Sequence, residues 1–219
     1  IEYNPVLQLA GAKALKAGRA KHYPSLTDPK DYATLLNEID QLDSTHGYNK
    51  PILQLLALTF VRIGDMCAMR WADINFNTKQ WILEPQKGKG RGDMVDSVVI
   101  PLAPQAIAII EQMQLLTGDH DYIFYNSRRK TAPYHNKQEV NKVLNNPSIN
   151  TKGIGKGYEG RGYLNVHTPH GFRASAKTML MERLGYDELI TEIQLGHAML
   201  NKYGNAYNRS TFTDDRTRM

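Results

Sequence analysis

The sequence predicts an α+β fold: a mainly helical domain carrying one small antiparallel sheet. Two patterns predict it. Apolar residues recur at helical spacing on both sides of the chain's middle, and short β-rich runs separated by turn signals are confined to residues 73–100. Of 219 residues, 41% are hydrophobic and 22% charged, enough apolar material for a real core. The longest apolar stretch, Ile52 to Val61, falls well short of the roughly 20 residues that a membrane helix needs, so no membrane partner is expected. The opening IEYNPVLQLAGAKALKAG has no apolar core or cleavage site of a signal peptide. A single cysteine, Cys67, excludes an internal disulfide and fits a reducing cytoplasm; in its apolar surroundings it reads as a small core residue.

The elements follow in order. Residues 1–22 are small, polar and basic, as a linker would be, and residues 23–219 form the domain. The missing initiator Met and the end at Met219, soon after a helical pattern, are expected of a fragment. Thr27 is positioned to cap a first helix with Pro29 in its first turn, and Tyr32, Leu35, Leu36, Ile39 and Leu42 form its apolar face. Pro51 opens a second helix, apolar nearly all round and therefore buried. Val61-Arg62-Ile63-Gly64-Asp65 interrupts the apolar run before a short helix through Met69. Asp73 to Phe76, Trp81 to Leu83 and Ser97 to Ile100 read as a three-stranded meander, with an Asn77-Thr78 turn and then a Gly-rich connection from Lys87 to Asp96. Pro104 starts a helix with apolar positions Ile107, Ile110, Met113 and Leu116; a basic helix runs from His135 to Leu144. Asn150 to Tyr163, with five glycines, is predicted to be a mobile loop. Helices at Gly171 to Leu184, Asp187 to Leu195 and about Leu200 to Asn208 finish the chain.

The net charge of +5 is a mild pointer to a polyanionic partner, and its distribution says more. Between Asn126 and Tyr163 eight Lys or Arg face two acids, which is either a solvated surface or a phosphate-binding one. Arg62 lies between two apolar stretches, where a guanidinium is costly to bury without partners; Asp65, three residues on, is a candidate support. A structural Arg–Asp pair at a helix junction is the competing reading. In His167-Thr168-Pro169-His170-Gly171-Phe172-Arg173, His170 and Arg173 share one face of a first helical turn, a good phosphate clamp at the positive end of the helix dipole. A metal site on His167 and His170 lacks a third ligand at suitable spacing. Gly196 ends a helix before His197, and ten residues later comes Ala206-Tyr207-Asn208-Arg209. A lone tyrosine there is more often packing than nucleophile, and Tyr203 is its rival one turn earlier.

The order of these elements is more specific than any of them. Val61-Arg62-Ile63-Gly64-Asp65 with Met69 to Ile74, then Thr168-Pro169-His170-Gly171-Phe172-Arg173 through Thr178, then Gln194-Leu195-Gly196-His197-Ala198 and Ala206-Tyr207-Asn208-Arg209 resemble the conserved boxes of the tyrosine recombinase (phage integrase) family. The likeness covers about residues 23–219 and is nearest to integrases of prophages and genomic islands. Close relatives often carry Pro-Gly-Glu after the first arginine, where this chain has Ile63-Gly64-Asp65. The family's amino-terminal core-binding domain has no counterpart in the sequence, and residues 1–22 would be the linker to it.

The resemblance implies a catalytic set of Arg62, Lys87, His170, Arg173, His197 and Tyr207, with Asp65 in support and no metal or cofactor. Tyr207 would attack a phosphodiester and leave a 3′ phosphotyrosyl bond. Two arginines would hold the nonbridging oxygens, His170 would accept the tyrosine proton and His197 would hydrogen-bond the phosphate. A hairpin lysine would protonate the leaving 5′ hydroxyl. Lys87 is preferred because it follows the strand directly, with Lys89 as the alternative. Lys89, Arg91, Arg128, Arg129, Lys130 and Lys137 are candidate DNA contacts. The implied partners are double-stranded attachment sites, further copies making a tetramer on DNA (with a monomeric fragment also open), and DNA-bending and excision accessory proteins. The implied place of action is the bacterial cytoplasm, at the nucleoid. A type IB topoisomerase-like relaxation enzyme and a non-catalytic DNA-binding accessory domain are the competing functions.

Overall fold

Pro29 and an aspartate, rather than the predicted threonine, start the first helix. The computed structural model describes residues 22–42, 47–84, 97–145, 162–197 and 211–219. Helix α1 (Pro29–Asp40) is capped by Asp28, whose Oδ1 accepts from the Lys30 and Asp31 amides at 2.9 and 3.3 Å, while Thr27 stays exposed. A carboxylate satisfies the free amides and also meets the positive end of the helix dipole, so it outcompetes the neighbouring hydroxyl.

Helix α2 (Asn49–Thr59) is the central strut and buries Ile52, Leu53, Leu55 and Leu56 completely, as its all-round apolarity predicts. It packs against α1, the short helix α3 (Ile63–Cys67), α4 (Pro104–Thr117), α5 (Lys137–Asn145) and α6 (Gly171–Glu182). Helix α3 stops at Cys67, two residues before the expected Met69. Cys67 is a core residue, 1% exposed, and burial pushes its thiol up to about 12.

A 3-10 turn (Trp71–Asp73) leads into strands β1 (Ile74–Asn75), β2 (Gln80–Leu83) and β3 (Val98–Pro101), an antiparallel meander in the order β1-β2-β3. Trp81 pairs with Ile74 and Ile100, and Leu83 with Val98. Trp81 and Ile100 face the core while Ile82 is half exposed, as alternation along a strand requires.

Three further expectations are corrected. Leu116 is not on the buried face of α4: it is 68% exposed, and the face is Ala106, Ile110, Met113 and Thr117. Thr117 takes the buried place because its hydroxyl donates to Ile123 O at 2.8 Å and its carbonyl accepts from Trp71 Nε1 at 2.9 Å. The basic helix starts at Lys137, not His135, whose ring instead meets Asn49 Oδ1 at 2.9 Å. Tyr163 does not belong to a mobile loop; it is fully buried, and its hydroxyl donates to Glu38 Oε2 at 2.9 Å. The rest of that glycine-rich stretch, residues 150–161, lies outside the described residues.

Helix α6 is followed by α7 (Glu188–Gln194), capped by Asp187, whose Oδ1 accepts from the Leu189 amide at 2.7 Å. A last helix, α8 (Thr213–Arg218), escapes a reading of apolar periodicity because it has no apolar stripe. It is pinned by Arg216, 4% exposed, which donates to Gln194 Oε1 at 2.9 Å and to the carbonyl of Val99 in β3. The helix expected at about 200–208 lies outside the described residues, as do the Lys87–Asp96 connection and residues 1–21.

Candidate active site

The first arginine is presented by a break in the backbone. Helix α2 ends at Thr59, and Phe60 turns the chain through the left-handed region at φ 60°. Val61 is buried, and Arg62 then lies extended before α3. A bulky residue at positive φ costs on the order of 1–2 kcal/mol, and the turn it makes points the Phe60 carbonyl at the second arginine, described below. Asp65, in the first turn of α3, is 3% exposed and lines the same cavities as Arg62.

The second segment is fixed at its entrance to α6. Thr168 accepts from the Gly171 amide through both its hydroxyl and its carbonyl, at 3.0 and 2.7 Å. A Cβ on Gly171 would lie 2.5 Å from the carbonyl oxygen of Pro24, so only glycine admits this backbone crossing. His170 precedes the helix and Arg173 sits in its first turn. Arg173 is 5% exposed; its Nη1 donates to Phe60 O, and its Nη2 to Leu195 O, each at 2.8 Å. The same Nη2 lies 3.0 Å from His197 Nε2. Burial and then Arg62 lower its proton affinity to about 10, against the support of Asp65 and Glu192, so it stays cationic at neutral pH.

The third segment depends on Gly196, left-handed at φ 68°. The His197 amide returns to Glu192 O at 3.1 Å, and its imidazole folds back onto the end of α7. Its Nδ1 meets Glu192 Oε2 at 2.5 Å, and Glu192 Oε1 accepts from Lys177 Nζ at 2.6 Å. Burial opposes the Glu192 charge, but hydrogen bonds from Lys177 and His197 prevail and hold its carboxyl below the ordinary value. Neither Glu192 nor Lys177 was assigned a role from sequence. A carboxylate five residues before a histidine, across a helix-ending glycine, is the signal that would have found them.

His170 lies among these groups. Burial, then Arg173, Arg62 and His197, lower its pKa to about 4, so it is neutral at physiological pH with room for a proton. The ring of Tyr23, a further residue not anticipated from sequence, lies over it with centroids 4.3 Å apart. A cleft of about 720 Å³ opens beside Arg62, Asp65 and His170, and Arg129 and Lys137 line it as well. Arg128 lies instead at a second cavity with His120 and Tyr125, and exposed Lys130 lines neither. Lys87, Lys89, Arg91, Tyr203 and Tyr207 lie outside the described residues.

His167 is committed to the fold rather than to a ligand. It is fully buried, its Nδ1 accepts from the Leu26 amide at 3.1 Å, and its ring packs edge-on against Phe172.

The model of the phage integrase family matches residues 26–214, nearly the whole chain. The chain belongs to the phage integrase family. Prophage integrase IntA of Escherichia coli K12 is 28% identical over 207 residues, covering 94% of this chain and 45% of IntA. The chain thus spans about half the length of the curated relatives it matches. Among solved structures, the Tn1549 transposon integrase in complex with transposon right end DNA superposes with a TM-score of 0.62 at 16% identity, over 92% of this chain and 66% of that one. A lambda integrase tetramer bound to a Holliday junction gives 0.57 at 16% identity, over 88% and 53%. These likenesses give the fold: the tyrosine recombinase catalytic fold predicted from the motif order. No helix among the described residues is long and apolar enough to cross a membrane.

Proposed function

We propose that this integrase-family chain is the catalytic part of a site-specific DNA recombinase, integrating or excising a prophage or genomic island in the bacterial cytoplasm. Residues 23–219 are the catalytic unit and residues 1–22 its connector. One observation carries the reading: Arg62, His170, Arg173 and His197, drawn from three distant stretches of sequence, meet at one edge of a basic cleft.

The chemistry follows from that cluster. A phosphodiester entering beside Arg62 and Arg173 meets two donors that remain charged at working pH and match its nonbridging oxygens in pairs. The phenol oxygen of Tyr207 bonds to phosphorus as the P–O5′ bond breaks. Its proton passes to His170, and the leaving 5′ oxygen takes one from Lys87. An imidazole with so low a proton affinity is a weak base, so the field of two arginines supplies much of the drive by stabilising the phenolate. The stored phosphotyrosyl bond is reversed by another strand's 5′ hydroxyl, without ATP. Arg129 and Lys137 at the cleft, with Lys89 and Arg91, follow the DNA backbone. Four copies assemble on the paired sites, as in the lambda integrase tetramer on a Holliday junction.

A suicide substrate nicked beside the cleavage site tests the reading. A covalent adduct is expected with the parent chain, is lost in Tyr207→Phe and persists in Tyr203→Phe. The reverse pattern overturns the nucleophile, and no adduct at all overturns the catalytic function. A 5′-thio leaving group, which needs no protonation, should rescue Lys87→Ala; rescue of Lys89→Ala alone moves the general acid to Lys89.

A further inference from the structure

Arg173 donates to His197 Nε2 at 3.0 Å, and a guanidinium has no acceptor, so Nε2 presents its lone pair. The ring proton therefore sits on Nδ1, which donates to Glu192 Oε2 at 2.5 Å. Glu192 is held in turn by Lys177, whose Nζ also reaches Glu188 Oε1 at 3.2 Å. Arg173 and Lys177 stand one turn apart on α6, while Glu192 lies on α7 and His197 just beyond it. The four side chains therefore run as one chain of contacts from solvent to the phosphate-binding edge. The Gly196 turn makes this possible, because it brings the imidazole back alongside a carboxylate five residues earlier.

The geometry points to Glu192 as a positioning residue for DNA cleavage: it fixes the proton on Nδ1 of His197 and balances the imidazolium when Nε2 turns from Arg173 to the phosphate. This rests on the recombinase reading above. When an anionic phosphodiester docks between Arg62 and Arg173, His197 takes a proton from solvent at Nε2 and donates it as a hydrogen bond to a nonbridging oxygen. Both ring nitrogens are then donors, one to Glu192 and one to the phosphate. Among the described residues, the other ionisable groups around the ring are His170 just before α6, Arg173 on it and Arg62 before α3, with Lys177 and Glu188 behind Glu192. Without the Glu192 anion, a further positive charge would have to form beside two arginines.

Single-turnover adduct formation by the full chain on the nicked substrate, between pH 5 and 9, tests this with Glu192→Gln, Glu192→Ala and Lys177→Met. Glu192→Ala should slow cleavage by roughly 10²-fold, the scale of losing one preorganised donor, while its gel-shift affinity stays within about threefold. Glu192→Gln keeps an acceptor for Nδ1 but no charge, so its rate should recover at low pH, and the alkaline limb should move about one pH unit lower. Lys177→Met removes the tie between α6 and α7 but not the contact with His197; it should keep the parent's pH profile. The inference is overturned if Glu192→Ala cleaves like the parent, or if Lys177→Met reproduces the Glu192→Ala loss with no displaced limb, since a bridge between helices would then explain everything. If the parent makes no adduct, the recombinase reading has failed instead. The ¹⁵N spectrum of the His197 ring in the DNA-free chain then still decides the dyad: a bare Nε2 and protonated Nδ1 support it, and the opposite tautomer overturns it.

Discussion

Replacing Arg173 with alanine should damage stability and cleavage by different and separable amounts. The guanidinium is nearly buried and satisfies two backbone carbonyls, Phe60 O and Leu195 O, as well as His197. A buried acceptor left without its donor costs about 1–3 kcal/mol, so two of them cost roughly 2–6 kcal/mol, the lower value applying where water enters from the cleft. For a chain of this size, at about 2–4 °C per kcal/mol, that lowers Tm by roughly 4–24 °C. The alanine also relieves the mutual repulsion of Arg173 and Arg62, which offsets part of the loss. Cleavage loses more. Each preorganised donor to a developing oxyanion is worth roughly 10²–10³ in rate, and Arg173 offers a pair, so the adduct rate should fall at least 10³-fold. DNA affinity, supported by many phosphate contacts, should fall far less. Calorimetry fixes a temperature at which the variant is folded, and gel shift and single-turnover cleavage are then compared there. A cleavage loss under tenfold, or one matched by the loss in affinity, refutes a role in the transition state.

Further outcomes follow from the same contacts. His167 is fully buried, and burial lowers its pKa to about 4, so the unfolded chain binds one more proton between pH 6.5 and 4. Stability is therefore highest above pH 6.5 and declines as the pH drops through that window, by about 3 kcal/mol from this group. Urea melts at pH 7 and 4.5 should show the decline in the parent and a flatter dependence in His167→Gln; equal slopes would remove His167 as its cause. Gly171→Ala puts a Cβ 2.5 Å from a backbone oxygen and should cost about 1–3 kcal/mol in thermal melts, whereas a neutral result would show that the Pro24 crossing yields. Arg129→Ala and Lys137→Ala should each reduce the slope of log affinity against log salt by about 0.9, with little change for Arg128→Ala, which lies at the other cavity. Equal changes in all three would mean that the DNA path follows charge rather than the cleft.

The sequence by itself determined a great deal here. Helix starts announced themselves through Pro29, Pro104 and Asp187, whose effects are local, and the meander through alternation around Trp81. The order of Arg62, His170-x-x-Arg173, Gly196-His197 and Tyr207 carried the family and so the fold, and it is the source of the chemistry proposed. Thr168 and Gly171 could be recognised as part of a motif, but the reason for the glycine, a crossing by Pro24 O, lies 147 positions away in the chain. Tertiary structure alone decided contacts of that kind. Leu116 and Thr117 are neighbours on one helix, and only the carbonyl of Ile123 makes the polar one the better residue to bury. His167 and His170 look alike in sequence; an amide from Leu26 commits the first to the core, while burial, and then two arginines, keep the second neutral at the cleft. Glu192 is one more exposed-face acid until the left-handed turn at Gly196 lays His197 against it. Periodicity and caps are read within a few residues, whereas burial, charge balance and the direction of a hydrogen bond are set by what the fold brings from elsewhere.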